Sequence, residues 1–298
     1  MNNFLQSIVP ILYLLSAVLF IFGLKGLTRV RTARRGNAMA ALAMLIAIVT
    51  TLLELGLVDY RWIITGLVVG GLIGAIAALR VEMTAMPEMV ALFNGFGGGA
   101  SALVALSIVW TEVIERGDSG TAASLMGADA SVTAVLSILI GGITLSGSLI
   151  AFLKLSGKMG GQPTLLPARH VINVALIVAC LVLGIYMSFL ADAPEGVVLP
   201  AIALAAISLL LGVLLVIPIG GADMPVIISF LNSLSGVAAS MTGFVLSNNV
   251  LIISGALVGA SGLILTQIMC VAMNRTLGNV LFSGFGQEGG AAGSDEYG

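Results

Sequence analysis

The chain has 298 residues, of which 59% are hydrophobic and only 9% charged, with a formal net charge of −2 and a mean hydropathy of +1.15. Soluble domains carry about 25% charged residues, so this composition excludes a water-soluble globular protein. The apolar runs are too long and continuous for β-barrel alternation, so the expected class is all-α: a polytopic transmembrane helical bundle.

Nine spans are predicted, at 4–24, 38–58, 62–79, 86–109, 131–153, 171–190, 198–217, 226–246 and 250–273. The first is too long for a signal-peptide core and has no basic residue before it, so it is a retained helix. Loop charges set the orientation. With the first loop inside, the cytoplasmic segments hold ten cations: Lys25, Arg29, Arg31, Arg34, Arg35, Arg80, Lys154, Lys158, Arg169 and Arg275. The opposite side holds only Arg61 and Arg116. The N-terminus is therefore expected outside and the C-terminus in the cytoplasm. Acidic residues follow the reverse trend, with Glu112, Glu115, Asp118 and Asp129 in one outer loop and Asp192 and Glu195 in another. Glu54, in the outer part of the second span, reads either as an interfacial carboxylate reaching water or as an intramembrane functional acid.

In the third span, Gly70, Gly71 and Gly74 read as close helix packing. The fourth opens on Met86-Pro87 and continues through Asn94 into Gly95-Phe-Gly-Gly-Gly99. These glycines lie in mid-helix, without the strand–turn–helix setting of a phosphate-binding loop, so a nucleotide site is rejected there. The same pattern returns in the eighth span. A shift of 138 residues places Met86, Pro87, Asn94, Gly98 and Ala100 on Met224, Pro225, Asn232, Gly236 and Ala238. Residues three and four apart share a helical face, so Ala91, Asn94, Gly98 and Ser101 line one side, as do Ser229, Asn232, Gly236 and Ala239. Each Asn lies about 12 Å along its helix at 1.5 Å per residue, near the middle of a hydrocarbon core roughly 30 Å thick. A carboxamide there must face protein or water. Two readings stay open: a packing pair with one interhelical hydrogen bond each, or a polar pathway through the membrane.

Between the copies, Thr144, Ser146 and Ser148 in the fifth span are expected to bond mainly to their own backbone. Ser146-Gly147 is echoed by Ser261-Gly262, and both copies keep one orientation, as in a parallel repeat. The single histidine, His170, reads as an interfacial residue at the start of the sixth span. Cys180 and Cys270 read as small core residues. Asp223 stands directly before the second Met-Pro helix, where a carboxylate can cap the helix or meet a soluble partner. No metal-ligand cluster and no nucleophile motif occurs, and neither a metal nor a nucleic-acid partner is expected. Residues 274–298 turn Gly-rich and acidic, the composition of a linker.

Several of these motifs are specific to one family. Gly220-Gly-Ala-Asp-Met-Pro-Val226 with Leu231-Asn-Ser-Leu-Ser-Gly236, Glu82-Met-Thr-Ala-Met-Pro-Glu88, Leu166-Pro-Ala-Arg-His170, Gly255-Ala-Leu-Val-Gly259 and Met269-Cys-Val-Ala-Met-Asn-Arg275 resemble the membrane part of the β subunit of proton-translocating NAD(P)+ transhydrogenase. The resemblance implies that residues 1–273 form a proton-translocation domain and 274–298 a linker toward an NADP(H)-binding domain. It implies partners as well: an α-type subunit with an NAD(H)-binding domain and extra membrane helices, in a dimeric complex in the bacterial plasma (inner) membrane. NAD(H) and NADP(H) would bind the soluble parts, with no cofactor and no hydride-transfer residue in this chain. Asn232 falls on the family's polar residue in the proton path, Asp223 on the acid at the cytoplasmic mouth, where it is expected to couple the bundle to the nucleotide domain, and Ser148 and Gly259 on further positions implicated there. Asn94 stands where some members carry a histidine, which is then expected on a partner helix. A secondary ion or solute transporter with a mid-membrane polar site is the alternative reading; a membrane anchor for soluble subunits is a third.

Overall fold

A computed structural model describes residues 3–55, 60–164 and 167–281. The described residues form helices and turns without a strand. Nine of the helical segments are long and apolar enough to cross a membrane. The long helices are α1 (Asn3–Leu27), α2 (Val30–Leu55), α3 (Arg61–Arg80), α4 (Met86–Val109), α6 (Ala128–Leu155), α7 (Arg169–Ile185), α8 (Pro194–Val216), α9 (Met224–Val245) and α10 (Asn249–Ala272). Two short helices, α5 (Ala122–Met126) and α11 (Leu277–Leu281), complete the set.

Local chemistry sets the boundaries. Pro87 and Pro225 sit in the first turns of α4 and α9, where a missing N–H costs nothing. Gly157, at φ +69°, follows the end of α6 in the left-handed region that terminates helices. Asn248 caps α10 by accepting a hydrogen bond from the Leu251 N–H at 3.1 Å. Both α4 and α7 run on into π-helical turns, Trp110–Glu115 and Tyr186–Leu190, which the sequence reading missed. It also placed the start of α2 at residue 38. The helix begins at Val30, so Arg31, Arg34 and Arg35 are helical rather than loop residues.

The centre of the bundle is α6, which packs on α4, α8 and α9, while α10 packs on α9. Close approaches give the directions. Asn94 meets Ser148 and Ser235, while the Ser101 carbonyl meets Ser137 and Thr242. Helices α4 and α9 are therefore parallel and α6 antiparallel to both. Helix α10 returns beside α9, with Ser229 opposite Thr266 and Ser240 opposite Ile252. One apolar core gathers Val109, Ile138, Met187 and Leu204 at one end of the bundle. A second gathers Ile219, Met224, Ile227 and Val280 at the end carrying both Met-Pro turns. Helices α1 and α2 form a separate hairpin that touches the rest mainly through α10.

Helix α3 has no buried residue. Among the described residues nothing lies within 4 Å of a Cβ built on Gly70, Gly71 or Gly74, so the expected close packing is not made by them. A membrane helix needs no partner to stay folded, because its backbone is satisfied internally. The stripe therefore forms without a neighbour to fill it.

Candidate proton-path seam

The repeat in sequence is also a repeat in backbone. A 3₁₀ turn precedes each Met-Pro helix, Met83–Ala85 before α4 and Gly221–Asp223 before α9, at the same 138-residue offset. The residues flanking the turns match in dihedral angle. Glu82 has φ −72°, ψ 153° and Gly220 φ −69°, ψ 154°; Ala85 has φ −92°, ψ 3° and Asp223 φ −89°, ψ −2°. Matching turns on parallel helices place Asn94 and Asn232 at equal distances from their helix starts.

Their surroundings differ. Asn94 is buried, at 9% exposure. Its amide nitrogen donates to Ser148 Oγ at 2.9 Å, and its carbonyl Oδ1 accepts from Ser235 Oγ at 2.7 Å. One carboxamide thus ties α4 to α6 and α9. A carboxamide has both donors and acceptors to offer, and small neighbours let the helices close on it. The Gly95 Cα lies so near α6 that an added Cβ would meet Ser148 Cβ at 3.1 Å, and one on Gly98 would meet Thr144 Cβ at 2.7 Å. The face proposed for α4 (Ala91, Asn94, Gly98 and Ser101) is buried throughout. Gly97, by contrast, has nothing within 4 Å of a Cβ position.

On α9 the corresponding face is split. Ser229 and Gly236 are buried against α10, whereas Asn232 is exposed and Ala239 half-buried. A Cβ on Gly236 would collide with the backbone of Gly259, and Ser233 Oγ donates to the Gly259 carbonyl at 2.6 Å. Gly259 therefore acts here as a packing contact that also accepts a hydrogen bond. Ser148 departs from the expected self-bonding, while Thr144 and Ser146 keep to it, donating to the Ile140 and Gly142 carbonyls at 2.8 and 3.1 Å.

The polar contacts continue along the seam. Seven residues beyond Asn94 and Ser235, the Ser101 carbonyl and Thr242 meet Ser137, whose Oγ lies 2.7 Å from Thr242 Oγ1 and 3.2 Å from the Ser101 carbonyl. These two polar knots are about 10 Å apart along the helices. Ser137 and Thr242 were not singled out from the sequence, and Ser235 stood out there only as a small residue within the Leu231–Gly236 motif. The available signal was Ser235 one turn beyond Asn232, aligned with a bare glycine, Gly97, in the first copy. Beside Ser235, Gly97 and Ala239 a cavity of about 520 Å³ opens between the α1–α2 hairpin and α9–α10, and reaches Thr51 and Asn248. Tyr13 Oη lies 3.0 Å from the Oγ1 of Thr51, one of the lining residues, and donates to exposed Glu54 at 2.6 Å.

Asp223 is 7% exposed. Its carboxylate makes no capping bond to α9, so the helix-cap reading is set aside. Among the described residues Oδ1 has no hydrogen-bond partner; Arg275 Nε stands 3.8 Å away, close enough for an ion pair but too far for a hydrogen bond. His170 is half-buried at the start of α7, where Arg169 Nε points at its Nε2 from 3.2 Å. Leu166 and residues 282–298, which carry part of the family motif and most of the linker, lie outside the described residues.

The described residues thus define a polytopic membrane bundle of apolar helices, with buried polar contacts joining α4, α6 and α9. The chain belongs to a specific family: residues 9–297 match the model of the NAD(P) transhydrogenase beta subunit. It is 44% identical over 288 residues to the NAD(P) transhydrogenase subunit beta of Rhodospirillum rubrum. A second Rhodospirillum rubrum sequence of that name matches to the same extent. The alignment covers 96% of this chain and 60% of the relative, so the chain spans about three fifths of the length of the curated protein it matches.

Proposed function

We propose that this chain is the proton-conducting membrane part of a proton-translocating NAD(P)+ transhydrogenase, working with hydride-transferring domains that bind NAD(H) and NADP(H) outside residues 1–273. The supporting observation is the Asn94 carboxamide, which joins Ser148 of α6 to Ser235 of α9 at mid-helix. A structural anchor has no use for buried polar groups at that depth, whereas a water-assisted proton path does. The parallel 3₁₀–Met-Pro repeat is a weaker fit to a secondary transporter, many of which use inverted repeats. An amide does not titrate at physiological pH, so the proton-binding group comes from elsewhere. Exposed Asn232 marks the face on which a histidine-bearing helix of an α-type subunit would lie. The chain is read as lying in the bacterial plasma membrane, with its Met-Pro turns on the cytoplasmic side, residues 274–298 leading to the NADP(H)-binding domain, and the whole complex a dimer.

Asn232→Leu tests the reading. The substitution keeps the γ-branched heavy-atom framework and alters an exposed position, so the melting temperature of the chain should hold within about 2 °C, as for surface changes worth about 0.5 kcal/mol or less. Proton translocation by the complete enzyme in vesicles should fall at least about tenfold, a rise of roughly 1.4 kcal/mol in the barrier. Normal acidification by Asn232→Leu would remove Asn232 from the path.

A further inference from the structure

Lys154 was counted among the loop cations from its sequence, but it is 5% exposed inside the last turn of α6. Its Nζ donates to two backbone carbonyls, Ile217 at 2.5 Å and Ile219 at 2.7 Å. Among the described residues it forms no ion pair with a carboxylate. A buried ammonium must be solvated by something, and here the solvent is the negative end of α8, where the last carbonyls lack helical partners. Pro218 lies between the two acceptors, breaks the helix there, and leaves both carbonyls free to turn toward the lysine.

The carbonyls that Lys154 holds belong to the turn that launches α9. Ile217 O also accepts from the Thr164 N–H at 3.5 Å, and the Gly221 N–H donates to the Gly161 carbonyl at 2.9 Å. The segment after α6 is thus tied along the same turn. From Ile219 the chain passes directly into the 3₁₀ turn that presents Asp223, and then into Met224, which is fully buried. The first Met-Pro helix has no counterpart to this arrangement, since its preceding 3₁₀ turn has no buried residue.

We propose that Lys154 is a positioning residue, a latch whose ammonium fixes the α8–α9 turn and thereby sets where Asp223 sits at the Met-Pro end of α9. This rests on the reading of Asp223 as the contact between bundle and nucleotide domain. The latch itself has consequences that do not depend on that reading. With the ammonium removed, two carbonyls lose a charge-assisted donor, and residues 217–223 keep the contacts to Thr164 and Gly161, the Arg275–Asp223 pair and the apolar floor around Ile219. The turn then opens more often, and Asp223 exchanges its buried position for solvent.

The test is hydrogen–deuterium exchange on the complete enzyme in lipid nanodiscs, alongside proton and hydride assays on the same preparation. Amides of 219–223 in the unmodified protein should exchange far more slowly than those of the exposed loop at 116–120. Equal rates would overturn the latch without any variant. In Lys154→Met, exchange at 219–223 should rise about tenfold or more, the scale of a lost charge-assisted hydrogen bond, while the seam around Ser101 and Thr242 stays as slow as before. Lys154→Arg keeps the charge and the donors and should retain most of the protection. Identical exchange in the Met and Arg variants would show that only side-chain bulk matters, and would overturn the proposal. In the Met variant the number of protons moved per hydride should fall, with hydride transfer itself retained; an unchanged ratio would overturn the positioning role. If the unmodified complex moved no protons, the functional reading would fail, and the exchange data would still decide the latch.

Discussion

A buried carboxamide is an exacting residue, because every unmet donor or acceptor is a cost that packing must offset. Asn94 meets both needs with hydroxyls from different helices, and removing either one tests how far the three helices depend on it. Ser148→Ala should leave the Asn94 amide donor without that partner and destabilise the chain by about 1 kcal/mol, at the upper end of measured intramembrane hydrogen bonds. A double-mutant cycle with Ser235→Ala, read from thermal melts in detergent, should show coupling through the shared carboxamide. Strict additivity would mean that the two contacts do not act as one network. Asp223 presents the opposite case, a buried carboxylate oxygen that among the described residues finds no hydrogen bond and faces Arg275 at 3.8 Å. Asp223→Asn removes the charge that Arg275 faces. It should leave the fold intact, because the side chain caps nothing, yet lower coupled proton pumping by the complete enzyme. Undiminished pumping by this variant would assign Asp223 a local role only.

At the scale of the helices, glycine divides into two uses that the sequence could not separate. Gly236, Gly255 and Gly259 bring α9 and α10 into backbone contact, and a Cβ on Gly236 would strike the Gly259 main chain. Gly236→Val should therefore cost about 1–3 kcal/mol by overpacking and lower the melting temperature. Gly70→Leu, on a helix with no neighbour within 4 Å of that position, should leave the melt of the isolated chain unchanged. Equal destabilisation by both would contradict the packing described for α9 and α10. Much of the rest was legible. The helix count, the Met-Pro repeat and the buried face of α4 follow from apolar run length, proline placement and 3.6-residue spacing, which are local signals. The exposure of Asn232 and the partners of Ser148 depend on which helices become neighbours, and in a chain that is hydrophobic all round no amphipathic face announces this. Lys154 misled for a related reason. A cation at the end of an apolar run normally reaches the headgroups, and only the fold shows the α8 carbonyls drawing it inward.

At the scale of the whole molecule, the parallel course of α4 and α9 bears on which end of the bundle faces the cytoplasm. The parallel α4 and α9 place both Met-Pro turns at one end, together with Asp223, Arg275 and the α1–α2 connection. Removing buried Lys154 from the ten basic residues assigned to that end leaves nine, against Arg61 and Arg116 at the other. One of those two is already neutralised locally, since Arg116 pairs with Glu112 at 2.8 Å. The bias thus survives without Lys154, and by the positive-inside rule a nine-to-two excess predicts a cytoplasmic Met-Pro end. Labelling can check it cleanly, because Cys180 and Cys270 are both buried and can be replaced by alanine to give a silent background. Single cysteines at Arg29 and Thr276 should then react with a membrane-impermeant maleimide only when inside-out vesicles are used. A cysteine at Asp118, in the acidic loop before α5, should react only in intact cells or right-side-out vesicles. Labelling of Arg29→Cys and Asp118→Cys from the same side would break the nine-span topology, and a clean reversal of all three would put Asp223 on the wrong face to meet a cytoplasmic nucleotide domain.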